Sequence, residues 1–165
     1  MASKLAEPAP ANRFQEQHVL HVFECLKIWS GIDLMAQMKV SPENAGEYVW
    51  NAPFFLISQN ADADPILTYG NRRVLGQWEC TWEQLTSMPS RKTANDVNQA
   101  QRNQAMAEVV AKGFVMGYSG DRVSRTGREF HIENGIIWNL FDLADEGKRP
   151  AGRAAFFASV TVKPA

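Results

Sequence analysis

The stretch from residue 53 to residue 82 constrains the fold of this chain more than any other part of it. It predicts a buried strand at residues 54–58, an Asn/Asp turn, a second strand at residues 66–69, and a helix that begins at Gly70 and Asn71. The first strand is apolar on both faces, and such strands lie in the middle of sheets that are covered on both sides. We therefore expect a sheet with helices packed against it.

About a quarter of the chain precedes this unit. Residues 1–11 are rich in Ala and Pro and are expected to be flexible, whereas residues 12–51 predict an extension of short helices that begins with Asn12 as the N-cap. Apolar residues at three- and four-residue spacing, among them Leu26 and Trp29, form a broad stripe on the first helix. Such a stripe must be buried against the main fold or against another chain.

The part of the chain after residue 82 predicts helices followed by strands. Thr81 caps a short helix, residues 95–112 form the longest helix, and Gly113 ends it. Three strands follow at residues 114–126, 128–141 and 153–162, and short connections make them antiparallel neighbours. Alternation in the second of these strands predicts one apolar face, made of Phe130, Ile132, Ile136, Trp138 and Leu140. The expected fold is α+β, with one five-stranded antiparallel sheet, helices on one face, and the N-terminal amphipathic helices in addition.

Charge and composition exclude several function classes. With 165 residues, 17 basic and 18 acidic side chains and a net charge of −1, the chain lacks the basic excess of a nucleic-acid-binding protein. Arg122, Arg125 and Arg128 are clustered, but acidic residues bracket them, which favours a solvated hairpin. No apolar run approaches the roughly 20 residues that cross a bilayer, and the N-terminus does not resemble a signal peptide. We expect a cytoplasmic protein, without a membrane partner, whose two cysteines are reduced and inert.

Three segments together resemble the MEKHLA family, a PAS-like module. They are Ala52-Pro53 followed by SQNADADPILTYGNRRVLGQWE (residues 58–79), WEQLTSMPSR (residues 82–91), and GFVMGYSGDRVSRTGREFHIENGIIWNL (residues 113–140). The resemblance covers roughly residues 20–160 and is to the stand-alone bacterial type. It implies a PAS-like domain at residues 52–165. PAS-like modules generally sense small ligands, cofactors or light, or mediate dimerisation, and fold alone does not select among these roles.

Two PAS cofactors are disfavoured by what this sequence lacks. A light-oxygen-voltage domain needs a reactive Cys after the short helices, and residues 88–92 contain none; Cys80 comes earlier and is expected to be a packing residue. A haem PAS domain commonly uses a His on the long helix, and residues 95–112 contain none. Covalent flavin photochemistry and haem binding are therefore not expected, and the cofactor, where there is one, stays unknown.

Aromatic residues supply the first candidates for a ligand site. Tyr69, Trp78, Tyr118 and Trp138 either line an apolar pocket or simply fill the core. Asn134 falls on the predicted apolar face, so its amide needs a partner in the backbone or in a ligand, unless a bulge near Gly135 turns it outward.

Two polar residues near helix starts are the remaining candidates for the ligand site. Arg91 either holds a carboxylate or phosphate, or forms an ion pair with Glu79, Glu83 or Asp96. Asn71, at the start of a helix, either attracts an anion together with its neighbours or caps the helix.

Asn60, Asp62 and Asp64 have the i, i+2, i+4 spacing of the first ligands in a calcium-binding loop. Pro65 stands where that loop requires Gly, and Asn71 stands where it requires Glu. An Asx turn between two strands explains the same residues without a metal.

The resulting hypothesis is a sensory or regulatory module. A cavity between the sheet and its helices would bind a small organic molecule, and the signal would pass through a homodimer or a partner at the N-terminal helices. The alternatives are an interaction module whose core is filled by its own side chains, and an enzyme that uses the same pocket. An enzyme would need a titratable side chain, such as His131 or Glu133, to point inward.

Overall fold

The sheet of the computed structural model has six antiparallel strands. The structure describes residues 4–94 and 99–164, without the side chains of Gln99, Gln101 and Arg102. The strands are β1 Phe55–Gln59, β2 Leu67–Gly70, β3 Phe114–Val123, β4 Glu129–Leu140, β5 Gly152–Phe157 and β6 Val160–Val162. Their order is β2-β1-β5-β4-β3, and β6 pairs with the first half of β4. The predicted α+β fold is confirmed, and the sixth strand arises because residues 153–162 form two strands rather than one.

The helices are short and have clear start and stop residues. They are α1 Glu16–Ser30, α2 Leu34–Met38, α3 Ala45–Trp50, α4 Arg72–Trp78, α5 Trp82–Leu85 and α6 Gln99–Lys112, with 3-10 turns at Pro10–Gln15, Pro42–Asn44 and Ser90–Thr93. Thr81 caps α5, accepting from the Gln84 amide at 3.1 Å, as expected. Gly113 follows α6 with a φ of +88°, which L side chains rarely adopt. Residues 95–98 of the predicted long helix, including Val97, lie outside the described residues. No helix in the described part of the chain has the length and apolarity to cross a membrane.

Helices cover both faces of the sheet and create two separate cores. On one face, α4 and α6 pack against the sheet in a cluster that includes Trp78, Val109 and Ile137. On the other face, α1–α3 pack in a cluster that includes Leu26 and Trp138. The apolar stripe of the N-terminal helix is thus buried by the sheet of the same chain. Full burial of a side chain such as Leu26 contributes about 1.5–3 kcal/mol.

A bulge in β4 makes the predicted shared face of that strand wrong. Asn134 adopts a left-handed conformation with a φ of +55°. In β3, Gly120 pairs with Ile132 and Tyr118 pairs with Gly135. One residue of β3 therefore lies opposite two residues of β4, which is the extra residue of a bulge. Phe130 and Ile132 therefore belong to the α4–α6 core, whereas Ile136, Trp138 and Leu140 belong to the α1–α3 core. One inserted residue moves every later side chain to the other face.

The sequence predicts that the first long helix begins after Asn12, but in the structure it begins at Glu16. Arg13, Phe14 and Gln15 form a left-handed turn, with φ values of 53°, 54° and 56°, immediately before α1. The residues before this turn also contact the domain, because Trp82 Nε1 donates to the Leu5 carbonyl at 3.1 Å. Glycine at position 46 of α3 lets the turn approach closely, because a Cβ there would collide with the Arg13 carbonyl and lie 3.1 Å from the Phe14 carbonyl.

We expect Gly46→Ala to destabilise the protein by about 1–3 kcal/mol, because the added methyl group meets backbone that cannot rotate away. The matched control is Gly76→Ala at an exposed position of α4, where no atom lies within 4 Å of the added Cβ. That change should stabilise by about 0.5–1 kcal/mol, since Ala is the better helix residue. Urea unfolding followed by circular dichroism measures both; equal stabilities for the two variants would contradict the packing argument.

Candidate ligand cavity

A small cavity lies between the sheet and the α4–α6 layer. Its volume is about 60 Å³. Strands β1, β3, β4 and β5 form its floor, and Trp78 of α4, the Ser90–Thr93 turn and Met106 of α6 form its other side. Its apolar lining is Ile57, Leu67, Ile132, Ile137, Ala155 and Phe157. A single water needs about 10–15 Å³ measured in this way, so the cavity has room for roughly five heavy atoms.

Two polar groups on cavity-lining side chains are buried without a protein partner. They are the indole Nε1 of Trp78 and the hydroxyl of Tyr118, neither of which has a hydrogen bond to any residue that the structure describes. Buried polar atoms normally have partners, and leaving one unsatisfied costs about 1–3 kcal/mol. Both groups are therefore candidates for contact with a bound molecule.

Two arginines line the same cavity. Arg122, at 6% exposure, donates from Nη1 to the Asp121 carbonyl at 2.9 Å, and its guanidinium lies 5.2 Å from the ring centre of Tyr118. Arg153 donates from Nε to Asn139 Oδ1 at 3.2 Å, and burial lowers the pKa of its guanidinium. The predicted solvated hairpin is wrong for Arg122, because Arg122 is buried and lies on the same face of β3 as Tyr118, with which it lines the cavity.

The structure brings together only part of the predicted site. Trp78 and Tyr118 line the cavity. Tyr69 and Trp138 lie in the opposite core, where burial raises the pKa of the Tyr69 hydroxyl and Trp138 Nε1 donates to the Val22 carbonyl at 2.8 Å. Trp138 changes faces because of the bulge in β4.

The polar residues predicted for the site also lie outside the cavity. Asn71 is fully buried as the cap of α4, and its amide donates to the carbonyls of Val49 and Phe54, both at 2.9 Å. Arg91 is exposed and pairs with Asp64 at 3.2 Å, a partner that the sequence did not suggest. Of the suggested partners, Asp96 lies outside the described residues. Asn134 is exposed at the bulge, as the alternative for this residue anticipated.

The turn between β1 and β2 has the hydrogen bonds of an Asx turn. Asn60 Oδ1 accepts from the amides of Asp62 at 3.2 Å and Ile66 at 3.0 Å. Within the described chain, no cluster of three or more His, Cys, Asp or Glu side chains is arranged to hold a metal ion.

Comparison with known proteins identifies the family. The MEKHLA domain model matches residues 16–162, which is most of the chain and includes α1–α3 as well as the sheet. The chain belongs to the MEKHLA domain family. No curated protein sequence matches it.

Solved structures similar to this MEKHLA domain include PAS domains and light-oxygen-voltage (LOV) domains. A PAS domain from Colwellia psychrerythraea is 12% identical, with a TM-score of 0.58 over 78% of this chain and 98% of its own. A PAS domain from a two-component sensor histidine kinase is 19% identical, with a TM-score of 0.52 over 71% of this chain and 91% of its own. The LOV domain from a blue-light activated histidine kinase of Erythrobacter litoralis is 14% identical, with a TM-score of 0.53 over 70% and 100%. At these identities the similarity establishes a PAS fold.

The cavity of this MEKHLA domain does not fit the large PAS cofactors. A cavity of about 60 Å³ is far below the roughly 300–1,000 Å³ of sites for drug-sized ligands, and a flavin or a haem belongs to that size class. The described residues that line the cavity include neither Cys nor His. Cys80 is half-buried at the end of α4, outside the lining, and burial raises the pKa of its thiol.

On the opposite face of the sheet, His18 makes the stability of this MEKHLA domain depend on pH. Its Nε2 lies 2.9 Å from Ser58 Oγ, and burial, with a smaller effect of His21, lowers the pKa of its imidazole from 6.5 to about 4. Below pH 6.5 the unfolded chain takes up a proton that the folded protein does not bind. The free energy of unfolding should therefore fall by about 3 kcal/mol as the pH decreases from 6.5 to 4.

Urea unfolding at several pH values, compared between the wild type and His18→Gln, measures this contribution. The variant should lack the His18 contribution to the slope between pH 6.5 and 4. The control, His131→Gln, changes a half-buried histidine and leaves His18 in place, so it should keep the part of the decrease that His18 causes. A His18→Gln variant with the same pH dependence as the wild type would show that His18 is not the group responsible.

Proposed function

We propose that this MEKHLA domain is a sensory or regulatory module that binds a small organic molecule in the cavity between the sheet and helices α4 and α6. The observation that carries the proposal is the pair of buried, unpartnered polar groups on two residues that line the cavity, Trp78 Nε1 and the Tyr118 hydroxyl. A core filled only by its own side chains would gain from apolar groups at these positions. The cavity volume supports a ligand of only a few heavy atoms.

A hydrogen-bonded connection through the sheet offers a route for the signal. Asn139 of β4 accepts from cavity-lining Arg153 and donates from Nδ2 to the Val109 carbonyl of α6 at 3.3 Å. The carbonyl of the same residue accepts from Trp29 Nε1 of α1, on the other face, at 3.0 Å. A ligand that moves the Arg153 side chain would thereby act on Asn139, whose carbonyl bonds Trp29 of α1. We propose that the output is association through the N-terminal helices, most simply as a homodimer in the cytoplasm.

Two alternatives find less support. A pure interaction module would not need two arginines beside a cavity. The enzyme alternative needs an inward titratable side chain, and the described lining contains no carboxylate and no histidine. His131 instead bonds Asp121 at 2.9 Å, and Glu133 is exposed.

The cavity is tested by filling it. Ala155→Leu places three more carbons on a cavity-lining residue of β5, and Ala107→Leu makes the same change on an exposed residue of α6. We expect native mass spectra of the wild type and of Ala107→Leu, recorded after each protein is incubated with a protein-free extract of small metabolites, to show an added mass that disappears on denaturation, and Ala155→Leu to lack it. An added mass that persists in Ala155→Leu, or none in any of the three proteins, would count against the cavity as the binding site.

The homodimer requires a test away from the core. Leu26 and Trp29 pack inside the protein, so changing them would disturb folding. Ile28 is 45% exposed on α1, and Val110, on α6, is 69% exposed. We expect Ile28→Glu to convert a dimer to a monomer, because a charge in an apolar interface loses its hydration, and Val110→Glu to leave the dimer intact. Light scattering after size-exclusion chromatography measures the mass; a wild-type monomer, or an unchanged mass for Ile28→Glu, would contradict this interface.

A further inference from the structure

We propose that the ligand of this cavity is a small monocarboxylate, held by the guanidinium groups of Arg122 and Arg153 with the Tyr118 hydroxyl as a further donor. The inference rests on the proposed function, because it names the chemical class of the molecule bound in the same cavity. It assigns the two arginines a binding role that neither the sequence motifs nor the family membership indicated.

The first argument is the charge balance of the cavity. A buried cation normally has a carboxylate partner, because removing it from water is costly. Arg122 is 6% exposed and Arg153 is partly buried, yet neither forms an ion pair with any residue that the structure describes. Two positive charges beside one cavity, without a negative charge among its described lining residues, favour an anionic ligand.

The nearest acidic residue in the sequence, Asp121, has other partners. Its carboxylate lies 2.9 Å from His131 Nδ1 and 3.1 Å from Lys163 Nζ. Among the residues that the structure describes, Arg122 donates a hydrogen bond to the main-chain carbonyl of Asp121 and to no carboxylate. A guanidinium has five N–H donors in a planar fork, so Arg122 keeps donors for a planar carboxylate.

The second argument is the apolar wall that forms most of the remaining lining, which also contains the polar residues Ser58, Gln59, Ser90 and Thr93. Ile57, Ile132, Ile137 and Phe157 present only hydrocarbon to the cavity. A phosphate ion would have oxygens on all sides and would leave several of them against these side chains without donors. A carboxylate with a short alkyl chain places its charge at the arginines and its hydrocarbon against the apolar wall. Room for about five heavy atoms matches propionate in size.

The test compares three probes on the wild-type protein in the absence of other anions except chloride. Propionate is the expected ligand class, propionamide is its neutral counterpart of equal size, and inorganic phosphate is an anion without an apolar part. Nitrogen-proton correlation spectra report binding through the indole signal of Trp78, which a Trp78→Phe variant assigns. We expect saturable shifts with propionate, with a dissociation constant between about 10 μM and several mM, and binding at least about tenfold weaker for the other two.

Variants then test the two arginines. Arg122→Met and Arg153→Met should each weaken propionate binding by about tenfold or more, while Arg122→Lys, which keeps the charge but loses the planar fork, should retain part of it. Arg149→Met is the control, because Arg149 is exposed and pairs with Asp145 at 3.0 Å. The dispersion of the same spectra shows whether each variant is folded. The comparison of propionate with propionamide in the wild type does not depend on any variant.

The outcomes separate this inference from the proposed function. Propionamide binding as tightly as propionate would overturn the anionic ligand and leave the ligand cavity standing. Phosphate binding more tightly than propionate would overturn the carboxylate. A Trp78 indole signal that responds to none of the three probes would overturn the inference, and the mass spectra of the cavity-filling variant would then decide separately on the proposed function.

Discussion

One sheet must supply apolar side chains to two helical layers, and the bulge at Asn134 is what allows its longest strand to do so. Before the bulge, β4 gives Phe130 and Ile132 to the α4–α6 core; after it, the strand gives Trp138 and Leu140 to the α1–α3 core. If Asn134 continued a regular strand instead of forming the bulge, the large side chains of both halves would lie on one face. The α1–α3 layer would then lose Trp138, whose indole nitrogen bonds the main chain of α1. The position of the N-terminal helices and the size of the cavity both depend on this one residue.

The switch of faces along β4 at the bulge also explains the polar character of the cavity. After the bulge, the residues of β4 that face α6 are Gly135, Ile137 and Asn139, whereas Trp138 and Leu140 face the other way. Gly135 has no side chain and leaves space, and Asn139 brings an amide that holds Arg153 at the edge of that space. Apolar packing is thus strongest in the α1–α3 core, and the α4–α6 core keeps a void beside two arginines. In this division, one face of the sheet is filled by apolar packing, and the other face holds the cavity in which we propose that a ligand binds.

Much of the architecture follows from sequence patterns, because the patterns are local. The Asx turn after β1, the caps at Asn71 and Thr81, and the glycine after α6 each depend on a side chain and its nearest backbone, and each lies where the sequence placed it. The start of α1 does not lie where the sequence places it, because a left-handed turn of three residues without glycine has no simple sequence signature. That turn depends on the close approach of α3 at Gly46, which is a tertiary contact.

The site was less predictable for the same physical reason. Aromatic residues suggested a pocket, but Trp78 and Tyr118 face the cavity whereas Tyr69 and Trp138 face the other core, and the bulge separates Trp138 from the predicted group. A signal for Arg122 was present in its alternation with Tyr118, and a signal for Arg153 in its position within a strand predicted to be central. A charged residue on an inward position has a cost that the folded protein must offset, so such positions are more informative than aromatic residues, which ordinary cores also use. Buried positive charge that forms no ion pair with any residue the structure describes is therefore the feature that most supports the ligand we propose.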